Sequence, residues 1–398
     1  MIITSVDVYM LQFKRQKPIL CKITTDEGIY GWGEAGIAYG IGQSAAFGMV
    51  KDLAEHIIGR DPMQNEAIWE DLYKTTFWAL AGGPIIFAGL SAIDIALMDI
   101  KGKKLNTPCY NLMGGKQNDN LRTYASQIHM GWGDKLYRRK TVQEYADVCK
   151  YAMECGFDAV KLDFCSYDEE GLKTNRKDYE GLMKYKELKM MEDRIRAIRE
   201  QCGDELDIIV ENHCRTDLSS AIKVGEICDK YNIYFYEEVV NPMKTKTQSL
   251  VRERVKTPLA AGERIFGRWN YANFFEENSI QLIQPDLATC GGLSEAKKIC
   301  DMAHAYDVKV QGHVAGSPIS LAAALQLEAA IPNFCIHEHH LVNQMDDVRA
   351  SCVYDYQPVN GRYKVPDLPG LGQDVKQETL DNLTIQHVCV DKRKFVKP

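Results

Sequence analysis

The chain has no run of about 18 apolar residues, so a membrane-spanning helix is not expected. It has no basic excess either. Its 48 Lys and Arg stand against 55 Asp and Glu, a net charge of −7, and nucleic acid, which usually needs a basic patch, is not an expected partner. The opening MIITSVDVYMLQF lacks a basic n-region, a continuous apolar stretch and a small-residue cleavage site, so no leader is read there. A disulfide framework is missing too. The 13 cysteines are odd in number and scattered, and Cys228, Cys300 and Cys335 fall inside predicted helices or strands. They read as small core hydrophobes of a reducing compartment. Together these absences predict a soluble cytoplasmic protein with a small-molecule partner.

What is present is a beat. Glu211, Glu237, Glu263, Asp286, His313 and Glu338 recur at steps of 26, 26, 23, 27 and 25 residues, each after a short apolar run. A strand, a loop, a helix and a return need about 25–30 residues per turn of a parallel barrel. One ionisable group after each strand gathers all six on the C-terminal rim, where barrels carry their chemistry. The apolar runs Ala159–Leu162, Ile208–Val210, Ile233–Tyr236, Leu259–Ala261, Ile280–Ile283, Val308–Val310 and Phe334–Ile336 read as buried parallel strands. Leu121–Ser126 is the first strand of that set and Phe334–Ile336 the eighth.

Residues 1–122 do not follow the beat. Ile3–Leu11, Ile19–Thr25 and Ile29–Glu34 read as strands, and helical periodicity follows over Ala45–Ile58, Glu66–Leu80 and Ala88–Lys103. This is an α+β module, completed by the turn-rich segment 345–398, beside a barrel at 123–344. The stretch between Asp163 and Glu211 is nearly twice the usual step. Its excess, Phe164–Lys189, is charged, and reads either as a solvated excursion or as a loop folded over the rim to choose substrate.

Glu211, Glu237 and Glu263 would repel one another without a cation. Oxygen-only ligation favours Mg²⁺ first, with Mn²⁺ second. Glu238 points to the opposite face of its strand by two-residue alternation and reads as structural, with metal ligand in place of Glu237 as the alternative. Asp286 and His313 end adjacent strands, and a carboxylate on an imidazole orients it as a general base. His213, two residues past Glu211, reads first as a general acid, with metal ligand and loop residue as alternatives. Lys161 reads as a second acid/base or as a cation facing substrate. Glu338 stands among His337, His339 and His340, whose spacing lacks the usual separation of zinc ligands.

These residues match a pattern. Ser91-Ala92-Ile93-Asp94-Ile95-Ala96-Leu97, Leu112-Met113-Gly114-Gly115, Ala261-Gly262-Glu263-Arg264 and Gln284-Pro285-Asp286 with Gly291-Gly292-Leu293 resemble the enolase superfamily, mandelate racemase subgroup. The Glu211-x-His213-x-Arg215 run, with His313 and Glu338, resembles its galactonate-type acid-sugar dehydratases, and the insert resembles that of the mannonate type. The resemblance implies an α/β fold, a (β/α)7β-type modified TIM barrel under an N-terminal α+β capping domain. It implies cap loops near Gly36–Gly42 and Trp78–Gly83 over the barrel mouth, and a homo-oligomer. It also implies Mg²⁺-dependent dehydration of an aldonate such as galactonate, gluconate or mannonate to a 2-keto-3-deoxy acid. His313 would take the C2 proton, Glu338 would bind the carboxylate side of the enediolate, and His213 would protonate the leaving hydroxyl. Asp163, Arg215 and Arg264 are expected substrate contacts. Two features depart from the family: the first metal ligand is Glu211 where most members have Asp, and Lys161-x-Asp163 replaces the racemases' two lysines. An epimerase using Lys161 and His313, a non-catalytic sugar-acid sensor and a zinc hydrolase are the competing readings.

Overall fold

Buried and part-exposed side chains alternate along Ile3–Leu11, so this segment forms a strand with one face for a core. It is β1, followed by β2 (Ile19–Thr25) and β3 (Tyr30–Ala35). Helices α1 (Gln43–Ala54), α2 (Asn65–Thr75), α3 (Pro84–Lys104) and the single turn α4 (Cys109–Leu112) come next. Then strand and helix alternate: β4 (Asn120–Ser126), α5 (Val142–Glu154), β5 (Ala159–Asp163), α6 (Tyr185–Cys202), β6 (Asp207–Glu211) and α7 (Leu218–Lys230). The same pattern continues through β7 (Phe235–Glu237), α8 (Thr245–Arg252), β8 (Leu259–Ala261), α9 (Arg268–Glu276), β9 (Leu282–Ile283), α10 (Leu293–Ala305), β10 (Lys309–Val310), α11 (Pro318–Ala330) and β11 (His337–His340). The chain ends with α12 (Asp346–Arg349), β12 (Arg362–Lys364), α13 (Gln377–Leu383) and β13 (Thr384–Val390). This computed structural model describes residues 1–38, 40–132 and 137–392. Tyr39, in the Gly36–Gly42 loop, and the last six residues of the 345–398 segment lie outside the described residues.

Among the described residues the parallel strands run β10-β9-β8-β7-β6-β5-β4-β11, and a bridge from Val310 to Phe334 brings β10 back to the approach to β11. Eight strands with seven helices between them make the (β/α)7β barrel. The second sheet, β13-β1-β2-β3, is antiparallel and sits with α1–α3 as the cap. The cap docks through α3, whose residues from Ile86 to Ile100 are all buried. Close approach needs glycine. A Cβ on Gly31 would meet the Ala96 carbonyl oxygen at 2.2 Å, and one on Gly33 would meet that of Ala92 at 1.9 Å. One core joins the two units, with Leu11, Phe13 and Trp32 of the cap packed in the same cluster as Tyr145 and Ile195 of the barrel.

The eighth strand differs from expectation. Phe334 makes only a bridge to Val310, and the strand is the polar His337–His340, paired with β4 from Thr123 to Ser126. Its histidines are buried, with His337 Nδ1 on Glu328 at 2.5 Å and His339 Nδ1 on the Tyr363 hydroxyl at 2.8 Å. The insert is an ordered loop. Arg194 of α6, fully buried, donates to the carbonyls of Phe164 (2.7 Å), Tyr167 (2.8 Å), Lys140 (3.0 Å) and Asp168 (3.2 Å). Arg176 reaches the Cys214 carbonyl at 3.2 Å, which puts the insert against the segment carrying His213. No helix of the described residues is long and apolar enough to cross a membrane.

Candidate active site

Parallel pairing places Asp163, Glu211 and Glu237 in one row, with Asp163 opposite Glu211 and Glu211 opposite Glu237. Glu263 follows two residues after β8. One oxygen each of Glu211, Glu237 and Glu263 lie within 4.8 Å of one another. Glu211 Oε2 and Glu237 Oε2 are buried and make no hydrogen bond. Glu237 Oε2 has no partner and the nearest cation to Glu211 Oε2 is the Lys161 ammonium at 3.3 Å, so this all-oxygen set has acceptor capacity left and fits a hard divalent cation. Burial and the neighbouring Glu211 push the Glu237 carboxyl well up, against Lys161. Burial opposes ionisation of Glu211 as well, but His213 and Lys161 hold it down at about 2.

Lys161 Nζ sits under the row, 2.8 Å from Glu237, 3.3 Å from Glu211 and 3.1 Å from Glu338. Burial works against its charge, yet those carboxylates drive its pKa well up and keep it protonated. Glu338 also accepts from Ser126 Oγ (2.6 Å) and the Val314 amide (3.0 Å). Despite burial, Lys161 and His313 hold its carboxyl far below the usual range. Glu338, the residue expected on the carboxylate side of the enediolate, thus stands beside the row with Lys161, Ser126 and the Val314 amide on its oxygens.

The two imidazoles flank the carboxylate row. His313 Nδ1 lies 2.7 Å from Asp286 Oδ2, and its Nε2 lies 3.2 Å from Glu263. Burial would lower its pKa, but Glu263 and the Asp286 hydrogen bond raise it to about 10. His213 Nδ1 lies 2.8 Å from Asp163 Oδ2, while its own amide donates to Glu211 Oε1 at 2.9 Å. Again burial opposes and the carboxylates win, raising its pKa. His213 and Cys214 both adopt left-handed backbone, φ 49° and 54°, which turns the ring back over the rim. Asp163, expected as a substrate contact, sits behind His213 and Arg215. It is wholly buried, and it binds His213, Arg215 Nη1 (2.6 Å), Ser166 Oγ and the Cys165 amide. Arg215 is turned toward Asp163 and Ser166. Arg264 lines the cleft, ion-paired with both Glu238 and Glu263. Glu238 stands just past β7 with φ 49° and is buried.

The cleft itself is a cavity of about 300 Å³. Glu263, Asp286 and His313 form its barrel wall, and Ile37, Ala38 and Ile41 form its cap wall. Ile37 is a β-branched residue at φ 71°, a strained backbone held at the cleft edge. Among the described residues the glutamate trio alone is a cluster suited to a metal, and the histidines of β11 form none. Sequence reasoning missed Glu34, which lines the cleft from the cap. Its signal was there: an acid near the end of a predicted strand, the same mark that singled out the barrel residues.

Acids and imidazoles converging on a barrel rim beneath an α+β cap define an acid–base enzyme of the enolase type. The comparisons narrow this further. Residues 4–114 match the mandelate racemase / muconate lactonizing enzyme N-terminal domain, and residues 144–379 match the enolase C-terminal domain-like family. The chain belongs to the enolase superfamily, in its mandelate racemase subgroup. Over 98% of this chain and 99% of the other, it is similar to a "putative dehydratase" from Zymomonas mobilis ZM4 (48% identity, TM-score 0.95). It is also similar to a member of the enolase superfamily from Salmonella Typhimurium (47% identity, TM-score 0.95), with coverage of 98% and 99%. A more distant structure, 3,6-anhydro-D-galactonate cycloisomerase from Zobellia galactanivorans, shares 25% identity at a TM-score of 0.81 over 97% of this chain and 100% of the other.

Proposed function

We propose that the enzyme is an acid-sugar dehydratase, a hydro-lyase that converts an aldonate such as galactonate, gluconate or mannonate to a 2-keto-3-deoxy acid. The observation that carries this reading is the pair of imidazoles, each braced by its own carboxylate, on either side of one carboxylate row. Eliminating water across C2–C3 needs a base for the C2 proton and an acid for the C3 hydroxyl. Glu211, Glu237 and Glu263 would hold Mg²⁺, or Mn²⁺ in its place, because every donor is a hard oxygen. When bound, the ion supplies the positive charge that makes a proton beside a carboxylate acidic.

His313, held by Asp286, takes the C2 proton; a cation on Glu263 would offset the negative charge that raises the pKa of this ring and leave it free to act as a base. His213, whose ring Asp163 orients and whose charge Glu211 and Asp163 favour, gives its proton to the departing C3 hydroxyl. Arg215 keeps Asp163 ionised, and Lys161 with Glu338 forms a neutralising floor. Arg264 lies at the cleft wall as a substrate contact. The name of the distant cycloisomerase includes a sugar acid, which supports that substrate class here. The epimerase reading is less favoured, since its second base, Lys161, has its ammonium engaged by Glu211, Glu237 and Glu338. A cytoplasmic homo-oligomer is proposed with this reading.

The test is a screen of the Mg²⁺-loaded protein against aldonates and aldarates, reading 2-keto acid. We expect a hit among the aldonates. Deuterium exchange at C2 without water loss would move the assignment to epimerisation, and binding without either reaction would make the protein a sensor.

A further inference from the structure

The cap grips the proton-transfer pair from both sides through three consecutive residues. On one side Gly36 donates its amide to the Ala288 carbonyl at 2.7 Å, and the Ala288 amide in turn donates to Asp286 Oδ1 at 2.8 Å. A Cβ on Gly36 would lie 2.1 Å from Thr289 Cγ2, so only glycine lets the strand end press against this loop. On the other side Glu34 takes the first turn of α11. Its carboxylate accepts from the Ser317 amide (3.0 and 3.1 Å), Ser317 Oγ (2.6 Å) and the Ser320 amide (3.1 Å). A Cβ on Gly316 would meet Glu34 Oε1 at 2.7 Å. Asp286 Oδ2 and His313 Nδ1, 2.7 Å apart, close the ring between the two loops.

The rest of the Asp286 loop is also held by cap atoms. Asp94 accepts from the Ser294 amide (2.8 Å) and Oγ (2.7 Å), Ser91 Oγ accepts from the Gly291 amide (2.9 Å), and Trp69 donates to the Gly291 carbonyl (2.8 Å). Strands β9 and β10 are two residues each, and past them barrel pairing continues only as one bridge between Asp286 and His313, with the His313 amide on the Pro285 carbonyl at 3.2 Å, so the cap contacts add to a short backbone pairing.

We propose that Glu34 is a positioning residue for proton transfer: with Gly36 it sets the spacing of the Asp286 and His313 loops, and so the hydrogen bond between the two side chains. This rests on reading Asp286 and His313 as the proton-transfer pair. A carboxylate at a helix N-terminus suits the task, because it takes several backbone amides at once and fixes the helix end to its own strand.

Glu34→Gln tests it in the full-length, Mg²⁺-loaded protein. The amide is the same size but turns an NH₂ toward donors, so at least one hydrogen bond to Ser317 or Ser320 is lost. The first readout is the downfield proton resonance of His313 Nδ1, identified by its disappearance in His313→Asn. The second is the split between kcat and KM on whichever aldonate wild type converts. We expect Mg²⁺ affinity within about threefold of wild type, a shifted or broadened resonance, and kcat lowered about tenfold or more with KM little changed, as small misplacements of reacting groups produce. Either an unmoved resonance or an unchanged kcat overturns the proposal. If no aldonate is converted, the dehydratase reading falls and the resonance alone decides this one. Should Glu34→Gln not fold, Ser317→Ala removes the 2.6 Å donor from the barrel side and is read the same way. As control, Glu66→Gln breaks the exposed cap–barrel pair with Lys298. Movement of the resonance in that variant too would assign the effect to loose docking in general and reject the role of Glu34.

Discussion

At the residue scale, the two histidines divide the reaction, and their variants should divide it as well. His313→Asn should lower turnover by about 10²–10⁴-fold, the usual contribution of a positioned acid–base group. His213→Asn should abolish 2-keto acid formation yet leave deuterium exchange at C2, since proton removal precedes loss of the hydroxyl. Exchange lost in both variants would place both rings in one step. Glu34 makes a separate prediction. Burial pushes its carboxyl from 4.5 up to about 7, against the pull of its hydrogen bonds from Ser317 and Ser320. A raised acid binds its proton more tightly folded than unfolded, so that stabilisation is whole below about pH 4.5 and is lost as pH rises through 7. Asp94, raised to about 6 chiefly by burial, acts in the same direction over a lower window. The urea midpoint of the metal-free wild type, taken as a difference from that of Glu34→Gln at each pH, should therefore fall between pH 5 and pH 8, and a pH-independent difference would reject this role for the Glu34 proton.

At the scale of elements, three neighbouring strands each contribute one oxygen donor, so cation binding should report on the barrel and not on any single loop. Added Mg²⁺ should raise the melting temperature by mass action, by about 2.7 kcal/mol of stability at a hundredfold excess over Kd. Glu237→Gln should remove most of that increment in calorimetry while leaving the metal-free transition in place. The insert gives a second test. Arg194 donates to four carbonyls along the path of residues 140–168, two of them on the buried Phe164 and Tyr167. Arg194→Met should cost about 1–3 kcal/mol for acceptors left buried and unmatched. Amide exchange should quicken over 164–184 first, and unchanged exchange there would mean the loop is held by other contacts.

At the scale of the whole molecule, cap and barrel share one core, and β13 returns from the C-terminal segment to pair with β1. We expect a single calorimetric transition, and two separable transitions would show that the shared cluster does not couple them. Much of this architecture was legible from the chain because barrels repeat: the 23–27-residue beat carries rim position directly, and the three cap strands are separated by recognisable turns. The eighth strand was not legible, because His337–His340 is polar and has Glu328 and Tyr363 as partners, which local pattern does not reveal. The same limit hid the surroundings of Asp163 and Glu338. Residue type marked them as site candidates, but the partners that saturate them, Arg215 and Ser166 for one, Lys161 and Ser126 for the other, are joined only by folding. Glu34 and Ser317 are 283 positions apart, so their contact leaves no local trace.

The end of β3 has a bearing on how such an enzyme can change over generations. Gly33, Glu34 and Gly36 are fixed by steric and hydrogen-bond demands, whereas the side chains of Ile37, Ala38 and Ile41, on the loop that follows, line the cleft. Drift in the second group alters what fits, while drift in the first disturbs the reaction for every substrate alike. A lineage can therefore diversify its diet by mutating the tip of one loop, provided the three residues behind it stay frozen.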